Sequence, residues 1–139
     1  MNDRVYLDAS FIVSSQIQQN PHFQKADRIA KELIDKSLYI SYLVIDEVMH
    51  GLGKYGMDKR VIYKFIVLEL IEANNVTLLV NKPMKQDLKT FMRFWGKTSL
   101  QPRDAMHIFL MKEHGISTIA SFDRDFIERQ QELKIEVLG

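Results

Sequence analysis

Hydrophobic positions along this chain follow two different periods in turn. Arg4-Val5-Tyr6-Leu7 is a short β-type run that stops at Asp8. After Pro21, the residues Phe23, Ala26, Ala30, Leu33 and Ile34 recur mainly at helical spacing and predict a helix. Leu38-Tyr39-Ile40-Ser41 reads as a second strand. Tyr42 to Leu52 reads as a helix whose end is loosened by Gly51 and Gly53. Asp58 suits the N-cap of a longer helix carrying Val61, Phe65, Leu68 and Ile71, closed by Asn74-Asn75. Val76 to Val80 is rich in β-branched residues and predicts a third strand. Pro83 opens a helix with Met84, Leu88, Phe91 and Trp95 inward and Gly96 at its end. A further helix runs from Arg103 to His114 and stops at Gly115. Ile116 to Ser121 is the fourth strand, Phe126 to Glu132 a short helix, and Ile135 to Leu138 the fifth strand.

Strands alternating with helices imply an α/β fold: a three-layer α/β/α domain spanning 1–139 around a central, mostly parallel sheet. In such sheets the functional crevice lies beyond the carboxyl ends of the strands. Composition narrows the chemistry. The 139 residues include no cysteine, which removes disulfides, thiolate metal sites and cysteine nucleophiles together. Lys plus Arg number 19 against 18 Asp plus Glu, so no polybasic or acidic tail is present. The start, Met1-Asn2-Asp3-Arg4, carries no apolar run, and no segment is apolar enough to span a membrane; a cytoplasmic protein is expected.

Two aspartates sit where the crevice is expected. Asp8 follows the first strand and Asp123 the fourth, and each has an ordinary reading as a helix N-cap. The helix around Asp104 argues for more than capping. Ala105, Met106, Ile108, Phe109, Leu110 and Met111 surround it, so Asp104 and His107 share the polar corner of an otherwise apolar element. A carboxylate there needs a cation or a hydrogen-bonding partner. Arg103 would serve as that partner, and a bound metal is the sharper alternative. Asp46 and Glu47 lie on opposite flanks of their helix, and periodicity does not choose between them. Several carboxylates gathered at one sheet edge would repel until a dication joined them, and all-oxygen ligation suits Mg²⁺ or Mn²⁺.

The run Val5-Tyr6-Leu7-Asp8-Ala9-Ser10, the helix Asp104-Ala105-Met106-His107 and the tail Ser121-Phe122-Asp123-Arg124-Asp125-Phe126 together resemble the PIN-domain family. Within it, the likeness is to the small VapC-type ribonuclease toxins. Order, spacing and length agree over essentially the whole chain. The resemblance implies a catalytic acidic set of Asp8, Glu47, Asp104 and Asp123, with Asp8, Asp104 and Asp123 holding Mg²⁺ (or Mn²⁺). It is this resemblance that prefers Glu47 to Asp46. It also implies supporting roles for Ser10, Ser121 and Asp125, an RNA substrate, a cognate antitoxin protein and a homodimer. His107 matches a position often filled by histidine and is read as a buried polar residue rather than a ligand. Phe11 departs from the family pattern, where many relatives carry Asn.

Two basic groups, Lys85 with Lys89 and Arg93, and Lys54 with Lys59, Arg60 and Lys64, read either as solvated faces or as phosphate contacts. Gly96-Lys97-Thr98-Ser99 resembles the end of a phosphate-binding loop, but Phe91 stands where that pattern needs glycine. Glu47-x-x-His50 and Asp104-x-x-His107 resemble di-iron bundle motifs, against which the strand signals speak. The alternative to an enzyme is a non-catalytic module for protein interaction or RNA binding, with apolar surface on the Phe23 and Phe65 helices serving dimerisation. The filled acidic positions favour the enzyme.

Overall fold

The strand-forming runs pair side by side in parallel. The computed structural model describes residues 3–80 and 85–139, the latter without the side chains of Lys85 and Gln86. Strands β1 (Arg4–Leu7), β2 (Ser37–Ser41), β3 (Thr77–Leu79), β4 (Thr118–Ala120) and β5 (Glu136–Leu138) form one sheet in the order β3-β2-β1-β4-β5. Every neighbouring pair is parallel, with Val5 opposite Leu38 in β2 and Thr118 in β4. The connections leave β1 toward β2 and β3, then return to its other side for β4 and β5. That reversal puts a topological switch point at the carboxyl ends of β1 and β4.

The helices are α1 (Ala9–Gln16), α2 (Phe23–Glu32), α3 (Tyr42–Lys54), α4 (Lys59–Tyr63), α5 (Lys85–Gly96), α6 (Pro102–Glu113), α7 (Arg124–Glu128) and α8 (Gln130–Leu133). Side chains on one strand alternate between faces. Tyr6 therefore meets α6 through His107, whereas Leu7 and Leu38 look onto the opposite face. There they line a cleft of about 520 Å³ with Phe11, Leu33, Phe65 and Val76. The buried core joins Tyr6, Ile40 and Ile119 of the sheet to Ile12, Val44, Leu52, Ile108, Met111 and Phe126 of the helices.

Several predicted faces turn out differently. Helix α1 had no counterpart in the periodicity; it buries Ala9, Phe11, Ile12, Val13 and Ser14, too wide an arc to show as a stripe. On α2 the inward residues are Ala26 and Ile29, followed by Leu33, while Ala30 is exposed and Ile34 is 83% exposed. Asp58 does cap α4, accepting from the Val61 amide at 3.0 Å. The helix then widens into a π-helical segment, Lys64–Ala73, in which the Asn74 amide reaches back to the Glu69 carbonyl. Ile62 of α4 and Phe65, Ile66 and Leu70 of the wider segment turn inward, while Val61 and Leu68 are exposed.

Helix α3 runs through both glycines to Lys54. Gly51 is required there, because a Cβ would lie 2.8 Å from Cγ2 of Val13 on α1. The predicted helix start at Pro83, with Met84, lies outside the described residues. On α5, Phe91 and Trp95 are partly buried as predicted, while Leu88 is exposed. Met106 is exposed, so α6 has one open side. Gly115, at φ 65°, stops α6 in the left-handed region. The short helix predicted near Phe126 is two, α7 and α8.

Candidate active site

Asp8 leaves β1 at the switch point, and its amide donates to the Ala120 carbonyl of β4 at 3.0 Å. It stands at the N-cap position of α1, yet its side chain makes no capping bond. Instead Oδ2 accepts from Ser121 Oγ at 2.6 Å and from Ser10 Oγ at 2.9 Å. Ser121 Oγ in turn accepts from the Asp123 amide, and Ser10 Oγ from the Phe122 amide, each at 3.0 Å. These two hydroxyls thus tie the β4–α7 loop to the end of β1. Burial pushes the Asp8 carboxyl above its usual range; the two serine bonds and, when its ring is charged, His107 pull it down, and nearby Glu47 pushes it up.

Asp123 does cap its helix: Oδ1 accepts from the Asp125 amide at 2.9 Å. Both readings of that residue are compatible, since a capping carboxylate has a second oxygen to offer. Asp125 carries its own cation, Arg129, whose Nη1 lies 2.9 Å from Oδ1. Asp104 has no basic partner among the described residues, and the expected pairing with Arg103 is not formed there. Its carboxyl is pushed up to about 6, first by burial and then by the charges of Asp123, Asp125 and Asp8, with His107 opposing when its ring is charged.

Glu47 and Asp46 separate cleanly. Asp46 faces solvent 3.4 Å from His50 Nδ1. Glu47 turns inward, with Oε1 2.5 Å from Nε2 of the buried His107. The sequence-predicted acidic residues therefore fall into two adjoining groups. Ligand atoms of Asp8, Glu47 and His107 lie within 4.8 Å of one another, and so do those of Asp104, Asp123 and Asp125. The charges of Asp8 and Asp123 both act on Asp104, so the two groups adjoin closely enough to feel one another.

Two polar residues went unnoticed in the sequence. Tyr6 Oη lies 2.7 Å from both Ser41 Oγ and His107 Nδ1, inside the core. A tyrosine at an inward strand position and a serine closing the neighbouring strand were the available signals. Phe11 fills its position with packing, its ring centroid 6.4 Å from that of Phe122, which also stacks on His22 at 4.6 Å.

An all-parallel three-layer α/β/α fold with a carboxylate pocket at its switch point defines the class of protein. The family model of the PIN domain matches residues 5–131. The chain belongs to the PIN-domain family. Among solved structures it is similar to VapC20 of Mycobacterium tuberculosis, described as a "Sarcin-Ricin loop cleaving toxin", with a TM-score of 0.68, 17% identity and coverage of 89% of this chain and 93% of that one. It is also similar to FitAcB from Neisseria gonorrhoeae, with a TM-score of 0.67, 15% identity and coverage of 97% and 96%. A third likeness is to FitAB bound to an IR36 DNA fragment, with a TM-score of 0.66, 14% identity and coverage of 96% and 92%. No curated protein matches the sequence.

Proposed function

We propose that this protein is a divalent-metal-dependent endoribonuclease that cleaves RNA phosphodiesters, and that it is the toxin of a toxin–antitoxin pair. The observation that carries the reading is the pocket's uncompensated charge. Asp104 is held among Asp8, Asp123 and Asp125 with no basic side chain paired to it among the described residues. Such a pocket fits a hard dication, because carboxylates brought this close repel one another until a cation sits between them, and the donors are nearly all oxygen. Asp8, Asp104 and Asp123 would hold Mg²⁺ (or Mn²⁺). The chemistry such an ion would supply when bound is activation of a water and neutralisation of charge growing on a cleaved phosphodiester.

The chain's own residues supply the rest. Ser10 and Ser121 anchor Oδ2 of Asp8 and leave its other oxygen for the pocket. Arg129 holds Asp125 at the rim. Glu47 is held through Oε1, and its second oxygen would take the proton from the attacking water. Lys54, Lys59, Arg60, Lys64, Lys89 and Arg93 are exposed and would offer cationic surface for phosphate contact. The toxin role is supported by the likeness to VapC20, a Sarcin-Ricin loop cleaving toxin. The same reading takes the protein to be a cytoplasmic homodimer bound by an antitoxin protein; no described helix is long and apolar enough to cross a membrane.

The test is incubation of the purified protein with RNA and Mg²⁺, with and without chelator, beside Asp8→Asn and Asp104→Asn. Chelation abolishes cleavage, and each substitution lowers it by more than the roughly 10–100-fold typical of losing a mere outer-shell partner. Cleavage that survives chelation or both substitutions overturns the metal mechanism. The toxin role is tested by co-expressing the product of an adjacent small gene, which should bind the protein and relieve its effect on growth.

A further inference from the structure

Behind the Glu47–His107 contact lies a hydrogen-bonded chain of side chains that continues into the core. Ser41 Oγ accepts from the Val44 amide at 3.3 Å and lies 2.7 Å from Tyr6 Oη. Tyr6 Oη lies 2.7 Å from His107 Nδ1, and His107 Nε2 lies 2.5 Å from Glu47 Oε1. Tyr6, Ser41 and His107 are 0%, 4% and 1% exposed, so each polar hydrogen must find its acceptor inside the protein.

Counting hydrogens fixes the direction of the chain. Suppose His107 carried a hydrogen on Nδ1, as one neutral tautomer or as the doubly protonated ring. It would donate to Tyr6, and Tyr6 would have to donate to Ser41 Oγ, which already accepts from Val44. The hydroxyl hydrogen of Ser41 would then be orphaned in the core. The opposite direction leaves nothing over: Ser41 donates to Tyr6, Tyr6 to Nδ1, and the Nε2 hydrogen to Glu47.

We propose that Tyr6, backed by Ser41, is a positioning residue: it donates to His107 Nδ1, puts the single ring hydrogen on Nε2, and so pins Glu47 Oε1 as an acceptor at the edge of the acidic pocket. The functional weight of this arrangement rests on the reading of Glu47 as a participant in RNA cleavage. The His107 ring also stands edge-on to the Tyr6 ring, centroids 5.7 Å apart, so its orientation is fixed by packing as well as by hydrogen bonds.

The experiment is ¹⁵N NMR of the histidine ring nitrogens near neutral pH, with the His107 signals assigned by their loss in His107→Gln. The pattern distinguishes Nε2–H, Nδ1–H and the doubly protonated ring. The wild type should show Nε2–H. Tyr6→Phe, which keeps the ring and deletes only the hydroxyl, should lose that fixed pattern. Ser41→Thr should keep it, and Ser41→Ala should weaken it. Should Tyr6→Phe fail to fold by circular dichroism, the Ser41→Thr and Ser41→Ala pair carries the same comparison. In RNA cleavage with Mg²⁺, folded Tyr6→Phe should lose about 10–100-fold in kcat with KM little changed, as for a lost outer-shell partner. A wild-type ring protonated on Nδ1, a pattern indifferent to Tyr6→Phe, or an unchanged kcat in that variant overturns the proposal. Absence of RNA cleavage by the wild type would sink the nuclease reading alone, and the ring-nitrogen pattern would still decide how Glu47 is held.

Discussion

Asp8 and Asp123 look alike in the sequence, each an aspartate between a strand and a helix, but they spend their oxygens differently. Asp123 caps α7, whereas the buried Asp8 takes both of its described bonds from serine hydroxyls. Asp104 is the residue whose protonation shapes the pocket. Its folded carboxyl titrates near 6 against a usual value of 3.8, so between these pH values the folded state holds more protons than the unfolded one. Stability of the metal-free protein should accordingly fall as pH rises through that window and be lowest above it. Thermal melts across the window should show this slope, and Asp104→Asn should flatten it. What the sequence disclosed at this scale was the residue types and the strand ends they follow. It did not disclose why Glu47 rather than Asp46 enters the pocket, because the two flank their helix symmetrically. The choice is expressed by His107, 60 residues away along the chain.

Helices α1 and α3 pack so closely that one of the two α3 glycines cannot carry a side chain while the other is free. A Cβ on Gly51 would press on Val13, a stiff β-branched neighbour, at 2.8 Å; one on Gly53 meets nothing within 4 Å. Replacing a helical glycine by alanine gains about 0.8–1 kcal/mol in propensity. Overpacking a tight contact costs about 1–3 kcal/mol. Gly53→Ala should therefore stabilise the protein by up to about 1 kcal/mol, and Gly51→Ala should destabilise it, both read by denaturant melts. Elements were legible in the sequence wherever their burial followed a regular period: the strands, α3 and α6 stand close to where the pattern put them. The failures share a cause. The arc of α1 is buried too widely to make a stripe, and the π-helical turn after Tyr63 shifts the inward face away from the ideal period, exposing Leu68 and burying Leu70.

For the molecule as a whole, the strand order makes β1 the pivot, and the pocket draws its carboxylates from the ends of β1 and β4 and from α3 and α6. A dication held there would tie these elements together further, and binding to the folded state alone would stabilise it by mass action. Mn²⁺ at about 100 times its dissociation constant should add about 2.7 kcal/mol. A raised melting temperature that disappears in Asp104→Asn would register it. The Ser121–Asp8 bond joins residues separated by 113 positions, and it has a temporal consequence. A nascent chain emerging from the ribosome presents Asp8 and Glu47 long before the loop that anchors one of them has been made. Until Ser121 has been made, then, Asp8 stands without one of its two anchoring hydroxyls, and the acidic cradle stays unassembled.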